Sequence, residues 1–472
     1  MQIYNTLSGK VETLSPIKKN KINLFVCGPT VYDYTHIGNA RTFVVFDMFV
    51  NYLKHLGFDV FYLQNITDID DKIIKRAKEE NIAPKDLAIQ FEKEYMADMQ
   101  DLQIKSVKKY ARATEHIKEI ISQVERLLQK DFAYQSSDGI YYDVSKFKEY
   151  GKLSGRTVEG AEDGTSRIDE SVEKKNKADF CLWKLASPAE ASGGGGPSWP
   201  SPWGRGRPGW HIEDTAITEK YFGPQYDIHG GARDLIFPHH EAEISQMEAI
   251  SGKSPLVKYW MHTGFLTING QKMSKSLGNF ITTRDFLKET SPQALRMFIF
   301  SSHYRSPIDL KDSSIQEAKA NVEKLQDLIS KLTIAEGGSL LPFGRKEVPS
   351  FLSLQEKFWQ ELEDDFNTPK AKAVLFEITN LANEKIAKNE LAKTEAEEIL
   401  DFLKEVNKIF LFLDFKAKPE KIPENIKELA KQREGYRQAK EWQKADQVRQ
   451  QIESFGYSVE DTAEGPKIEK SK

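Results

Sequence analysis

The order of the apolar runs near the N-terminus limits what this chain can fold into. Residues 22–26 (INLFV) form a short apolar run that ends at Cys27-Gly28-Pro29, as expected for a strand stopped by turn residues. Residues 42–56 then carry apolar side chains at helical spacing, and residues 60–63 (VFYL) indicate a second strand. A strand, a helix and a strand in this order predict a βαβ unit, and therefore a parallel sheet with a right-handed crossover.

Three features fall at the edge of this sheet where ligands bind, beyond the carboxyl ends of the strands. Cys27 and Thr67 follow the two predicted strands. His36-Ile37-Gly38-Asn39 (HIGN) lies in the loop after the first strand, at the start of the first helix. The free N–H groups and the positive dipole end of a helix start suit a triphosphate.

A second motif, Lys272-Met273-Ser274-Lys275-Ser276 (KMSKS), follows a strand-like run at 264–268. Two lysines around a serine, next to Gly278, make a cationic loop that can neutralise charge on a leaving pyrophosphate. Either motif alone is more often chance or a solvated turn, whereas both together in a parallel-sheet protein indicate nucleotide chemistry. The chain has no GxxxxGKS/T sequence, which disfavours a P-loop ATPase.

Composition narrows the class of protein further. The chain has 472 residues, of which 39% are hydrophobic, and this is enough for about three packed domains and excludes wholesale disorder. Its 67 basic and 71 acidic residues exclude a globally basic nucleic-acid coat, so an RNA partner requires a local patch. Two cysteines exclude a disulfide framework, and no apolar run approaches the length of a membrane span. We therefore expect a cytoplasmic protein without a signal peptide or membrane span.

Residues 239–243 (HHEAE) form a dense set of metal-donor side chains. His239 and Glu243 are four residues apart and share one face of a helix, and Cys27 lies at a strand end where a thiolate can meet them. The alternative interpretation is a solvated helix face and a cysteine buried in the core. We interpret the second cysteine, Cys181, as a core residue.

HIGN together with KMSKS resembles the motif pair of class I aminoacyl-tRNA synthetases, whose first motif is usually HIGH. Asn39 replaces the last histidine, and its amide can still donate to a phosphate oxygen or a ribose. The surrounding strings resemble the cysteinyl-tRNA synthetase family in particular, nearly from end to end. They are FVCGPTVYDYTHIGNARTFVVFD at 25–47, QNITDIDDKIIKRA at 64–77, PSWPSPWGRGRPGWHIED at 197–214, DIHGGARDLIFPHHEAE at 227–243, KMSKSLGNF at 272–280 and SSHYRSPIDL at 301–310.

The resemblance implies a fold class and a domain organisation. We expect an α/β protein with a Rossmann-type parallel-sheet catalytic domain, an inserted connective domain, an α-helical bundle and a small C-terminal domain. The expected boundaries are 1–115 and 206–270 for the two halves of the catalytic domain, 116–205 for the insertion, 271–318 for a KMSKS-bearing region that contacts the tRNA stem, 319–415 for the bundle and 416–472 for a small anticodon-binding domain.

It also implies a zinc site, with one ion per chain, built from two cysteines, one histidine and one glutamate. Cys27, His239 and Glu243 occupy three of these positions, and Asp214 stands where the family generally has cysteine. An aspartate can bind zinc through oxygen, but the exchange of a soft thiolate for a hard carboxylate weakens the site. Alternatively, Asp214 caps a backbone amide. We expect that zinc is retained and that it selects cysteine over serine by binding the substrate sulfur.

The other site residues follow from the same resemblance. Two of the residues expected in the L-cysteine pocket have a second, structural explanation: Trp210 as an aromatic side chain that packs a loop, and Thr67 as a helix N-cap before Asp68. The residues expected to stabilise the phosphates of ATP, which binds with Mg²⁺, are His36, Asn39, Lys272 and Lys275. Those expected to line the pocket for L-cysteine are Gly28, Thr30, Thr67, Trp210 and His211.

A basic stripe near the C-terminus suits contact with RNA phosphates. Residues 427–449 hold seven basic and four acidic residues. On composition alone, a solvated charged face is as good an explanation, and the resemblance favours anticodon binding. Trp442 can stack on a base, although core packing is the simpler explanation. The basic residues expected to contact tRNA are Arg433, Arg437, Lys440 and Lys444.

The resemblance implies a monomeric enzyme that activates L-cysteine with ATP and transfers it to the terminal adenosine of tRNA(Cys). Two alternatives are kept. A cysteine:amino-sugar ligase of the mycothiol-pathway type activates cysteine in the same way, but it has no use for a basic RNA-binding end such as 320–472. A non-catalytic nucleotide- or RNA-binding paralogue is suggested only by Asp214, and the intact KMSKS argues against it.

Overall fold

The structure, a computed structural model, describes residues 1–156, 174–187, 196–273, 277–337, 351–415, 423–462 and 465–470. The described residues divide into two units. The first comprises those within Met1–Lys324, Pro349–Ile378 and Phe402–Leu413. The second comprises those within Leu325–Val348, Thr379–Asp401 and Asp414–Lys472. Among them, no helix combines the length and the apolar composition needed to cross a membrane.

The helices and strands follow one another in this order. The chain begins with β1 (Gln2–Asn5), β2 (Lys10–Thr13), β3 (Lys21–Val26), α1 (Ile37–His55), β4 (Asp59–Ile66), α2 (Asp71–Glu80), α3 (Pro84–Asp101), β5 (Lys109–Arg112), α4 (Ile117–Gln129), β6 (Ala133–Gln135) and β7 (Gly139–Tyr142). It continues with β8 (Phe180–Leu185), β9 (Gly206–Pro208), α5 (Ile212–Phe222), β10 (Tyr226–Ala232), α6 (Glu241–Ser251), β11 (Val257–Thr263), β12 (Leu266–Ile268), β13 (Gln271–Lys272), α7 (Thr283–Glu289), α8 (Pro292–Phe300) and β14 (Ile308–Leu310). It ends with α9 (Asp312–Gly337), α10 (Phe351–Glu363), α11 (Thr368–Ala387), α12 (Lys393–Phe410), α13 (Glu424–Gln438), α14 (Trp442–Ser454), β15 (Tyr457–Thr462) and β16 (Gly465–Lys470).

A parallel sheet forms the centre of the first unit. Within the described ranges it has five strands in the order β11-β10-β3-β4-β5, and each is parallel to its neighbours. The chain passes from β3 to β4 on one side, whereas β10 lies on the other side of β3. The strand order therefore reverses between β3 and β10, and such a reversal opens a crevice at the carboxyl ends of the strands where ligands bind. The predicted βαβ unit and parallel sheet are confirmed.

The helix between these strands, α1, begins at the HIGN motif. His36 is its N-cap, and its Nδ1 accepts a hydrogen bond from the Asn39 N–H at 3.2 Å. The helix starts at Ile37, earlier than the apolar stripe at 42–56, because a capping side chain and not the apolar spacing sets where a helix begins.

A separate antiparallel sheet, with the strand order β6-β7-β8-β9, lies within residues 133–208. Residues 133–143 contain Asp138-Gly139, a pair typical of hairpin turns, and they form the antiparallel pair β6 and β7. Residues 206–208 fall in the segment 188–209 that the composition predicts to be a loop, yet they pair with β8 as a strand. The prediction was wrong there because β8 supplies the partner from a distant part of the sequence. Residues 188–195 lie outside the described residues.

The C-terminal region is helical from α9 to α14 and closes with the β15–β16 hairpin. The second unit has a small apolar core of its own. The α/β fold with a helical C-terminal region is therefore confirmed, whereas the individual domain boundaries stay a prediction. The core residues are Ile426, Ala430, Val448, Ile452 and Val459.

Candidate active site and metal centre

A cavity of about 500 Å³ opens at the carboxyl ends of β3, β4 and β10. Its wall combines the loop after β3, the start of α1 and the segments before α5 and α6. The sheet thereby gathers side chains that are far apart in the sequence. The predicted site residues that line this cavity are Cys27, Gly28, Thr30, His36, Asn39, Thr67, Trp210, Asp214 and His239.

The backbone after β3 lies very close to the end of β4. The Gly28 N–H donates to Asn65 Oδ1 at 2.5 Å, and a Cβ on Gly28 would lie 1.9 Å from the Asn65 carbonyl oxygen. A glycine is therefore required for this close approach. Thr30 and Thr67 form a parallel backbone bridge beside it.

Thr67 is buried, and its hydroxyl donates to Glu213 Oε2 at 2.9 Å. Helix α2 begins further along the chain, with Asp70 as its N-cap, and the Asp70 side chain accepts from the Lys72 N–H. The explanation of Thr67 as a helix N-cap is therefore wrong. Burial, reinforced by the neighbouring Asp214 carboxylate, raises the pKa of Glu213 well above its ordinary value.

The four predicted metal ligands converge at this cavity. Cys27 Sγ lies 3.6 Å from Asp214 Oδ2. His239 Nε2 lies 2.9 Å from Asp214 Oδ2 and 3.2 Å from Glu243 Oε1. All four side chains are buried, and one donor atom of each lies within 4.8 Å of the others. Cys27 directly follows β3, Asp214 lies in the first turn of α5, His239 lies just before α6, and Glu243 lies in the first turn of α6.

The chemistry of this cluster fits a divalent cation. Within the described part of the chain, no hydrogen bond reaches Asp214 Oδ1 or either carboxylate oxygen of Glu243, although these atoms are buried. Burial raises the pKa of the Cys27 thiol and of Glu243, and the Asp214 carboxylate raises both further. Buried acidic groups with so little compensation are costly unless they share a cation. A thiolate, an imidazole and two carboxylates are all ligands of zinc.

Two aromatic side chains orient His239. Its Nδ1 lies 2.8 Å from Nδ1 of His211, and Trp210 stacks on its ring with 4.5 Å between the ring centroids. Burial lowers the pKa of His211 well below its ordinary value, so this ring is neutral and can accept a hydrogen bond. When His239 donates from Nδ1, its Nε2 lone pair faces the cluster, as a metal ligand requires. His211 itself lines a neighbouring cavity of about 290 Å³, together with Trp210.

Two histidines that contact Cys27, and a third that contacts one of them, are not among the predicted metal ligands. Nε2 of His229 and Nε2 of His240 lie 3.4 Å and 3.2 Å from Cys27 Sγ, and His240 Nδ1 lies 2.8 Å from His262 Nε2. Cys27, His229, His240 and Glu243 form a second set of donor atoms within 4.8 Å of one another. The position of His240 next to His239 was a usable signal. His229 and His262 carry no local signal, because β10 and β11 place them.

The HIGN residues present donors at the start of α1. Because His36 Nδ1 accepts from the Asn39 N–H, the proton of the neutral ring lies on Nε2, which is therefore a donor. The side chains of His36 and Asn39 both line the 500 Å³ cavity. A phosphate group in this cavity would thus meet the dipole of α1 and two polar side chains.

Met273 of KMSKS and the chain that follows the motif lie beside HIGN. Lys272 is exposed on β13, and a Cβ on Gly38 would lie 3.2 Å from Met273 Cε. After the motif the chain returns to the helix start, where the Ile37 N–H donates to the Ile281 carbonyl oxygen at 3.1 Å. Lys275 lies outside the described residues.

The basic stripe of the second unit is partly engaged within that unit. Arg433 is only 2% exposed, and its guanidinium donates to both carboxylate oxygens of Asp461 at 2.6 and 2.9 Å. Arg437 lies 3.0 Å from the same carboxylate, and Lys444 lies 2.5 Å from the Glu441 carboxylate. Lys440 is exposed in the turn between α13 and α14. The Arg433 contact was not predicted because Asp461 lies on β15.

Trp442 is 55% exposed, and the Arg437 guanidinium lies 5.8 Å from its ring centroid. The buried face of α14 consists instead of Ala445, Val448 and Ile452. The core-packing explanation of Trp442 is therefore wrong, and its ring is available for stacking.

Comparison with known proteins identifies the family. The model for "tRNA synthetases class I (C) catalytic domain" matches residues 13–320, and that for "DALR domain" matches residues 357–414. A cysteine–tRNA ligase of Thermococcus gammatolerans is 44% identical over 478 residues, which cover 98% of each chain. This chain belongs to the cysteine–tRNA ligase family. A second family member, from Methanococcus maripaludis, is also 44% identical and covers 98% of this chain and 97% of its own.

Solved structures share the fold of this cysteine–tRNA ligase family member. A Mycobacterium tuberculosis methionyl-tRNA synthetase in complex with methionyl-adenylate is 13% identical, with a TM-score of 0.61 over 82% of this chain and 89% of that chain. A LeuRS of Agrobacterium radiobacter, in a ternary complex with tRNA and LeuAMS, is 11% identical, with a TM-score of 0.59 over 84% and 85% of the two chains. At these identities the likeness is one of fold.

Proposed function

We propose that this chain activates L-cysteine with ATP and transfers the cysteinyl group to the terminal adenosine of tRNA(Cys). One observation carries the proposal: three residues of the metal-donor cluster, Cys27, Asp214 and His239, line the same cavity of about 500 Å³ as the HIGN residues His36 and Asn39. A small amino acid held at the cluster then lies beside the phosphates of a nucleotide bound at the start of α1. The 44% identity to cysteine–tRNA ligases supports the same activity.

The chemistry requires positioning and charge stabilisation rather than a protein nucleophile. The cysteine carboxylate attacks the α-phosphate of ATP, the bond to the β-phosphate oxygen breaks, and pyrophosphate leaves with Mg²⁺. A ribose hydroxyl of the terminal adenosine then attacks the carbonyl carbon and releases AMP. We assign the His36 and Asn39 side chains to the phosphate oxygens, and Lys272 and Lys275 to the charge that builds up on pyrophosphate.

The amino-acid end of the cavity is formed by Gly28, Thr30, Thr67 and Trp210. Cys27, Asp214, His239 and Glu243 would hold a zinc ion there, which would favour a substrate thiolate over the hydroxyl of serine. We assign to His211 the role of orienting His239, because the two rings are hydrogen-bonded.

The second unit supplies the RNA contact. Three basic side chains, Arg437, Lys440 and Lys444, and the exposed ring of Trp442 suit a single-stranded anticodon, since cations meet phosphates and an aromatic ring stacks on a base. Arg433 has a structural role in this proposal, because it is buried against Asp461.

The proposal is tested by ATP–pyrophosphate exchange and by charging of tRNA(Cys). We expect exchange that depends on cysteine and not on serine, followed by charging. Exchange without charging would instead favour the amino-sugar ligase, and a folded protein without exchange would favour the non-catalytic paralogue. Lys275→Ala should cut the exchange rate sharply, whereas Lys253→Ala, at an exposed position after α6, should leave it unchanged. The monomeric state and the cytoplasmic location stay predictions.

A further inference from the structure

Arg41 lies in α1, just after HIGN, and is only 1% exposed. Its guanidinium is surrounded by backbone carbonyl oxygens, and among the described residues it has no carboxylate partner. A buried cation without a counter-ion is costly, so the bonds that it makes must hold the surrounding backbone in place. Burial lowers the pKa of Arg41 to about 10, which leaves it charged at neutral pH.

The carbonyl oxygens belong to two segments. Arg41 Nη1 donates to Gly264 and Phe265 at 2.7 Å each, directly before β12. Its Nη2 donates to Tyr304 at 3.3 Å and to Ser306 at 2.5 Å, directly before β14. The same nitrogen lies 3.5 Å from the His303 carbonyl oxygen. One side chain of α1 therefore holds the residues that lead into β12 and into β14, the two paired strands next to the start of KMSKS.

The two segments are also in close contact with each other. A Cβ on Gly264 would lie 2.3 Å from the Ser306 carbonyl oxygen, and the Gly264 N–H donates to the Tyr304 carbonyl oxygen at 2.8 Å. Arg41 thus fixes a tightly packed junction that a larger residue at position 264 would force apart.

Asp309 holds the opposite end of the β12–β13 hairpin. Its Oδ1 accepts from Thr267 Oγ1 and from the Gly270 N–H, at 2.7 Å each. Thr267 is the cross-strand partner of Lys272. The hairpin that carries Lys272 is therefore attached at its base to α1 and at its turn to β14.

We propose that Arg41 and Asp309 are positioning residues for adenylate formation, because they hold the Lys272 hairpin at a set distance from the HIGN end of α1. This proposal rests on the proposed function, since it assigns Lys272 to the pyrophosphate. Neither residue is among those that line the 500 Å³ cavity. A shift of about 1 Å in a charge-stabilising group can slow a reaction by about 100-fold.

The test is a double-mutant cycle on the rate of adenylate formation by the full chain, with Arg41→Lys and Lys272→Ala. Lysine keeps the charge but cannot donate to both segments at once. Alone, Arg41→Lys should lower kcat by about 10- to 100-fold and leave the KM for cysteine nearly unchanged, since β3 and β4 hold the cysteine end. In the Lys272→Ala background, Arg41→Lys should lower kcat by less than about threefold, because both residues act through the β12–β13 hairpin. Equal costs in both backgrounds, or a loss expressed in the KM for cysteine, would overturn the proposal.

Two further variants separate positioning from general damage. Arg296→Lys replaces another fully buried arginine, which is bound to Asp47 and to carbonyl oxygens at Leu102, Gln103 and Phe410, and should lower the melting temperature without lowering kcat. If Arg41→Lys does not fold, Asp309→Ala takes its place in the cycle, because Asp309 lies nearer the surface and its replacement disturbs the core less. The same non-additivity with Lys272→Ala is expected. If the wild-type protein shows no cysteine-dependent exchange, the proposed function is refuted. If the wild type shows exchange but the effects of the two substitutions on kcat simply multiply, only the positioning roles are refuted.

Discussion

Replacement of Asp214 by asparagine should have opposite effects on the metal-bound and the metal-free protein. Asp214 contributes one of four donor groups, with Oδ2 2.9 Å from His239 Nε2 and 3.6 Å from Cys27 Sγ. Four-ligand zinc sites bind with about 10–16 kcal/mol, so an equal share for one ligand is about 2.5–4 kcal/mol, or about 60- to 1000-fold in affinity. An amide oxygen is a poor substitute for a carboxylate, and we expect a loss in this range.

The metal-free protein should respond differently. After burial, the Asp214 carboxylate is the next cause of the raised pKa of Cys27, and it also raises the pKa of Glu243. Asparagine has nearly the same shape but no charge, so it removes repulsion that only a cation would otherwise offset. The variant without metal should therefore melt at the same temperature as the wild type or higher, whereas the zinc-bound variant should melt lower.

Zinc affinity is measured by competition with a chelator, and melting is followed with and without zinc. Glu213→Gln is the matched control: the residue is adjacent, equally buried and bonded to Thr67, and its replacement should leave zinc affinity unchanged. Asp214→Cys should strengthen zinc binding by supplying a second thiolate. Unchanged zinc affinity in Asp214→Asn would refute the assignment of this ligand and would favour the donor set that includes His229 and His240.

Three further predictions concern other parts of the chain. Gly28→Ala should abolish cysteine-dependent exchange or raise the KM for cysteine at least tenfold, because its Cβ would lie 1.9 Å from the Asn65 carbonyl oxygen; an unchanged KM would contradict the close approach. Trp442→Ala should weaken tRNA(Cys) binding by about 1–3 kcal/mol and leave ATP–pyrophosphate exchange intact, as filter binding and exchange assays would show. Burial raises the pKa of Asp98 to about 6. As the pH rises from 4 to 6, the unfolded chain ionises at this residue first, so the free energy of unfolding of the wild type should fall by up to about 3 kcal/mol. Thermal melts at several pH values should show this dependence in the wild type and not in Asp98→Asn.

Local sequence patterns were sufficient for the parts of the site that lie next to strand and helix ends. The apolar run at 22–26 ends at Cys27, and in a parallel sheet that position must face the ligand edge. HIGN was predicted at a helix start, and His36 is indeed the N-cap of α1. In both cases the signal lies within a few residues of the feature that it predicts.

The parts that were missed depend on contacts between distant segments. His229 reaches Cys27 because β10 lies beside β3, and the sequence does not state which strands are neighbours. In the sequence, Arg433 is one of several basic residues at helical spacing and therefore resembles a cation available to RNA. In the structure its guanidinium is bound to the carboxylate of Asp461 on β15. Thr67 precedes acidic residues in a pattern typical of an N-cap, yet Asp70 takes that position and leaves the Thr67 hydroxyl to Glu213.

The topology of the donor cluster links metal binding to the assembly of the sheet. Cys27 follows β3, whereas Asp214 lies 187 residues further along the chain, at the start of α5. The antiparallel β6–β9 sheet lies between them in the sequence. His239 and Glu243 follow β10, which pairs with β3. The four donors therefore come together only when β10 has docked beside β3, and an ion held by all four binds only the assembled sheet. Binding to the folded state alone stabilises that state by mass action. An ion at this position thus stabilises the same strand junction that opens the cavity, and zinc removal should loosen β10 and α5 before it affects the β3–β4 pair, which hydrogen exchange can resolve strand by strand.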